Sequence, residues 1–89
     1  MAIPLEEAKK LKVGSIIYDS LYRNADGTPQ RWKINGKVKT WVRSPNRVQV
    51  PIKRGLYEFG YLTEACLDEF CLTEEEAAKG IPDNDMVKE

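Results

Sequence analysis

The chain contains no histidine, which removes the side chain most often used as a general base or metal ligand near neutral pH. Its two cysteines, Cys66 and Cys71, fall short of the roughly four ligands of a structural zinc site. In a reducing compartment they are expected as thiols rather than as a disulfide, and beside Leu67, Phe70 and Leu72 they read as small core residues. No apolar run approaches the roughly 20 residues that span a bilayer. The opening Met1-Ala2-Ile3-Pro4-Leu5 lacks the basic leader and apolar stretch of a secretory signal, so a cytoplasmic protein with no membrane association is expected. No glycine-rich phosphate loop is present, Gly14 and Gly27 being isolated turn or cap glycines. No serine or cysteine has an evident base partner, and the acidic pairs Asp68-Glu69 and Asp83/Asp85 stand outside any cation-binding loop. These absences point to a binding module that is not an enzyme and uses no cofactor or metal.

Acid is missing from the whole middle of the chain. Residues 27–57 carry Arg31, Lys33, Lys37, Lys39, Arg43, Arg47, Lys53 and Arg54 with no Asp or Glu. Residues 58–89 carry ten acids against two lysines, while residues 1–26 are balanced at four of each sign. The net charge of zero is therefore a +8 centre cancelled by a −8 final third, and such asymmetry is a physical statement about partners.

At 89 residues the chain supports one domain with a modest core. Pro4 suits the first turn of a short helix running to Lys10, with Glu6 and Glu7 near its positive end. A first strand is expected over Ser15-Ile16-Ile17-Tyr18, then a polar loop from Asp19 to Pro29 marked by Asp26-Gly27. Arg31–Ile34 and Val38–Arg43 flank Asn35-Gly36, a hairpin signal, and Ser44-Pro45-Asn46 marks the next turn. Val48, Val50 and Ile52 alternate with Arg47, Gln49 and Lys53, and Pro51 on the polar side suggests an edge strand or a bulge. Tyr57–Leu62 forms a further strand with Tyr57, Phe59 and Tyr61 on one side. Thr63 caps a helical turn near residues 63–69, and Thr73 with Glu76 makes a second capping pattern. Residues 1–72 are thus expected as the folded domain and 73–89 as an acidic, mobile segment.

Parity constrains the central hairpin. A two-residue loop at Asn35-Gly36 mixes apolar and charged residues on both faces, whereas an odd loop or a bulge separates them. Trp32, Val38, Thr40 and Val42 then share one face, and Arg31, Lys33, Lys39, Trp41 and Arg43 the other. In that register Trp41 lies outside, among cations.

Short strands joined by one longer loop and then tight turns indicate a mainly β fold of about five strands. The segment Lys12-Val13-Gly14-Ser15-Ile16-Ile17-Tyr18, a glycine leading into an apolar strand, resembles the first strand of SH3-like small barrels. In that resemblance Asp19–Pro29 corresponds to the long first loop, and Thr63–Leu67 to the helical turn before the final strand; the likeness covers residues 12–72. The basic stretch Trp32–Tyr57 is also similar to small accessory proteins of bacteriophages and prophages.

A cationic strip with an exposed aromatic is the pattern of nucleic-acid binding. Lysine and arginine neutralise phosphates, and an indole stacks on unpaired bases. The expected site is Arg31, Lys33, Lys39, Trp41, Arg43, Arg47, Lys53 and Arg54, with Tyr57 or Tyr61 extending it and the partner either DNA or RNA. The alternative is a protein-interaction module whose aromatics (Tyr18, Tyr22, Trp41, Tyr57) line a peptide groove. A monomer or weak homodimer is expected, with the acidic segment competing for the basic face.

Overall fold

The alternation of Val48, Val50 and Ile52 against polar neighbours places one long strand at the centre of the molecule, with all three side chains buried. A computed structural model describes residues 2–79. The elements are α1 (Leu5–Ala8), β1 (Ile16–Arg23), β2 (Pro29–Ile34), β3 (Lys39–Trp41), β4 (Ser44–Arg54) and β5 (Glu58–Thr63). A 3₁₀ helix (Glu64–Glu69), β6 (Phe70–Cys71) and α2 (Glu74–Ala78) follow. The fold is mainly β, as expected, with six antiparallel strands in one sheet.

β2 and β3 follow one another along one edge of β4, β1 and then β6 lie beyond β2, and β5 takes the other edge of β4. Among the described residues the sheet is not closed into a barrel: β5 pairs only with β4 and β6 only with β1. Its inner face carries Ile17, Trp32, Ile34, Val48, Val50, Ile52 and Leu62, packed with Ile3 and Ala8 from the N-terminal segment and with Leu67 and Phe70. Trp32 and Phe70 meet edge to face, with ring centroids 6.5 Å apart. The first helix is held there by Ile3, whose N–H donates to the Leu67 carbonyl at 3.1 Å.

Several local expectations are revised. The first strand runs on to Arg23, leaving a loop of only residues 24–28. Buried Asp19 makes this possible: its carboxylate accepts from the N–H groups of Leu21 (2.8 Å) and Tyr22 (3.2 Å), serving a bulge that otherwise orphans them. Asn35-Gly36 is not a hairpin turn, because β2 and β3 do not pair with each other. Both lie along the same side of β4, with Ile34 opposite Ile52 and Lys39 opposite Gln49. Five steps on one chain there match three on the other, so two extra residues bulge outward.

Pro51 explains the position of that bulge. Its carbonyl accepts from Asn35 N–H at 2.8 Å, and in an antiparallel ladder its nitrogen, which has no hydrogen, faces the same way. The chain opposite bulges away, and Gly36 passes over the proline ring. The strand holding Pro51 is therefore central rather than an edge. The tight turn is Val42-Arg43, between Trp41 and Ser44, and Ser44-Pro45-Asn46 belongs to β4.

The face assignment of the basic stretch holds for Trp32, Val38, Lys33 and Lys39 but not for its end, where Thr40 is exposed and Val42 and Arg43 leave the strand for the turn, Val42 being 99% exposed. Trp32, Ile34 and Val38 pack on the core, while Lys33 and Lys39 sit opposite Lys53 and Gln49. Cys66 is half-buried and closes the start of the 3₁₀ helix, its sulfur accepting from Thr63 N–H at 3.3 Å; Cys71 is buried. Residues 74–78 form α2, capped by Thr73 Oγ1, which accepts from Glu76 N–H at 3.2 Å. This helix packs on β1 and β6 with Ala77 fully buried. The remainder of the expected mobile segment, residues 80–89, lies outside the described residues.

Candidate nucleic-acid interface

Residues directly opposite on neighbouring strands share a face of the sheet, so register alone defines the outer surface. One row crosses four strands: Ile16 opposite Lys33, Lys33 opposite Lys53, Lys53 opposite Phe59. On either side of it lie Tyr18 opposite Arg31 and Pro51 opposite Tyr61. Phe59 and Tyr61 are 63% and 59% exposed, a large apolar surface to leave in water without a ligand or partner.

Two shallow depressions of about 240 Å³ each indent this face. The first is cationic and apolar, lined by Ile16, Arg31, Trp32, Lys33, Lys53 and Gly55. The second is lined by Asn35, Pro51, Phe59, Gly60 and Tyr61. They adjoin where Lys53 faces Phe59, so a positively charged site and an aromatic site lie side by side.

The electrostatics of the row run against stability. Like charges directly opposite in an antiparallel pair repel, and Lys33 faces Lys53. The ion pairs among the described residues are Lys9–Glu6 at 3.8 Å and Arg54–Glu58 at 2.6 Å. Arg31, Lys33 and Lys53 take part in neither.

The other expected site residues are placed differently. Arg54 is neutralised by Glu58 across the β4–β5 turn. Trp41 is half-buried: the Arg47 guanidinium stacks 4.1 Å from its ring centroid and the Lys39 ammonium lies at 5.2 Å. Its π face is therefore engaged within the protein. This cluster sits on the same outer face, since Lys39 is opposite Gln49. Gln49 and Lys53 are four residues apart on β4, about 14 Å at a strand's rise per residue. Arg43 is exposed in the turn beyond it. The strip expected as one site is thus a cation row of exposed Arg31 and Lys33 with half-buried Lys53 beside Phe59 and Tyr61, plus a self-satisfied cation–π cluster further along β4.

Phe59 was the residue least visible as a site. Tyr57, Phe59 and Tyr61 share one side of their strand, and Tyr57 or Tyr61 extends the site only where that side turns outward. The register turns it outward: Leu62 opposes buried Val50, so Gly60 and Leu62 face inward and Phe59 and Tyr61 outward. The glycine at position 60, where a core strand wants a side chain, is the signal available in the sequence; the Trp32 ring packs over it.

One acid supports this region from the edge. Beyond Thr63 the strand β5 ends, and the Glu64 carboxylate takes its place by accepting from Val48 N–H at 2.9 Å. That hydrogen bond, with a smaller contribution from the charge of Arg47, holds the Glu64 carboxyl below the usual glutamate range. No helix among the described residues is long and apolar enough to cross a membrane. Comparisons with protein-family models, with curated proteins and with solved structures give no match.

Proposed function

We propose that this chain is a non-catalytic binding module that associates with nucleic acid through the outer face of its sheet. The observation that carries the reading is the Lys33–Lys53 pair, two cations held directly opposite one another, neither in an ion pair among the described residues, with an exposed phenylalanine next in the row. A polyanion relieves that repulsion, and release of its counterions supplies affinity. The strand order and the 3₁₀ helix before the last strand support an SH3-like reading of the fold in an open form. The test is an NMR titration of ¹⁵N-labelled protein with short DNA and RNA oligonucleotides at 20 and 150 mM salt. Saturable shifts on β2, β4 and β5 that weaken with salt are expected; no shifts at 20 mM salt would refute the reading.

A second reading has its own observation. Pro51, Phe59 and Tyr61 make an aromatic-lined depression of the kind that takes extended, proline-rich peptides. In that case a proline-rich peptide moves the β5 resonances with little dependence on salt, and oligonucleotides do not.

A further inference from the structure

The outer face holds two unlike depressions in contact, and their chemistry together is more specific than a basic patch. We infer that the ligand is single-stranded nucleic acid, with phosphate seated among Arg31, Lys33 and Lys53 and unpaired bases stacked on Phe59 and Tyr61. This rests on the nucleic-acid reading above and goes beyond it by naming the strandedness and the division of labour.

Position supports the assignment. Lys33, Lys53 and Phe59 lie on three adjacent strands, each step about 4.8 Å, so a phosphate over the two lysines brings its own base within reach of the ring. Phe59 and Tyr61 sit on the same side of β5 two residues apart, about 6.8 Å along the strand, which offers two successive platforms. A duplex buries its base faces in its own stack and presents only phosphates and groove edges, so it uses the cationic half of the surface and leaves both rings in water. A single strand uses both halves. Stacking on an aromatic face is also tolerant of sequence, so little base preference is expected.

The site is built to stay open for such a ligand. Arg31, Lys33 and Lys53 take part in no ion pair among the described residues, whereas Arg54 is paired with Glu58 and Arg47 is turned to the Trp41 ring. Charge complementarity selects a polyanion, and the exposed rings select one that carries flat apolar groups.

Four probes distinguish the outcomes: a ten-nucleotide oligothymidylate, an abasic phosphodiester of the same length, a ten-base-pair duplex, and a proline-rich peptide. At 50 mM salt the oligothymidylate is expected to bind about tenfold or more tighter than the abasic strand, and tighter than the duplex. Phe59→Leu and Tyr61→Leu, both at exposed positions, should remove that advantage while leaving the abasic affinity unchanged. Lys33→Gln should weaken the oligothymidylate and abasic strands alike. Equal binding of oligothymidylate and abasic strand, or preference for duplex, would overturn the inference while leaving the nucleic-acid function standing. Failure of all three nucleic-acid probes, with or without peptide binding, would overturn both.

Discussion

Lys33 and Lys53 repel across a cross-strand pair, and a change that ends the repulsion separates stability from binding. Lys33→Glu places a carboxylate opposite Lys53 and should stabilise the fold by about 0.2–1 kcal/mol, seen as a raised urea midpoint. The same change should weaken oligonucleotide binding and reduce its salt slope by at least about 1. A variant that loses stability would show that the pair does not repel, and one that keeps its affinity would show that it has no anion-binding role. A second residue-scale test concerns Trp41, whose ring is covered by Arg47. Arg47→Ala should cost about 0.5–1 kcal/mol and make the indole more accessible to an aqueous quencher. The shared face of Arg31, Lys33 and Lys39 was legible from period-two parity, because charge and alternation are written in the chain, whereas Arg43 lies in the turn and Arg54 pairs with Glu58. The identity of the free aromatic was not. Trp41 reads as exposed among cations, but only the fold shows that one of those cations, four residues into the next strand, stacks on it. The side that carries Phe59 has no assigned facing until Leu62 is known to oppose Val50.

Gly36 and Pro51 form a matched pair between elements. A Cβ at position 36 would stand 3.0 Å from Pro51 Cγ and 3.3 Å from Cβ, and the proline ring is anchored in the backbone of a central strand. Gly36→Ala should therefore destabilise by about 1–3 kcal/mol, and Pro51→Ala in the same chain should restore part of that loss. Equal cost in both backgrounds would refute the contact. This is also where sequence and structure part most clearly. Asn35-Gly36 carries the chemistry of a tight turn, but the missing N–H of Pro51, sixteen residues later, makes a bulge opposite it the better use of the same residues. Short-range turn signals rank local conformers and carry no information about which distant strand will lie alongside. The helical turn after Thr63 was legible, since its capping residues are local. At its start Glu64 substitutes for a strand, and its depressed carboxyl sets a pH dependence. A group whose folded pKa is lowered contributes fully above its ordinary range and loses that contribution as pH falls through the folded value. Glu64→Ala should lower the denaturation midpoint at pH 7 and matter less at pH 3. Glu64→Gln, which keeps an acceptor for Val48 N–H, should flatten that part of the profile.

At the scale of the molecule the +8 centre and −8 final third do not mix along the chain, and the fold keeps part of the acidic segment at a defined place. Helix α2, with Glu74, Glu75 and Glu76 in its first turn, packs on β1, the strand whose Tyr18 faces Arg31 of the cationic site. Removing residues 73–89 outright would also remove buried Ala77 and the bond from Arg23 Nη2 to the Ala78 carbonyl at 3.2 Å, confounding charge with packing. Substitution isolates the charge: Glu74 and Glu75 are exposed, so Glu74→Gln with Glu75→Gln should leave the melting temperature nearly unchanged. If the acids act on an approaching polyanion through the field alone, the double variant should bind an oligonucleotide faster and tighter at about 10 mM salt, where the screening length is about 30 Å. The gain should shrink by 0.15 M salt, where that length is about 8 Å. No gain at low salt would mean that α2 and the basic row are electrically independent. A gain that persists at 0.15 M would mean direct competition, with the acidic segment occupying the face that the ligand needs.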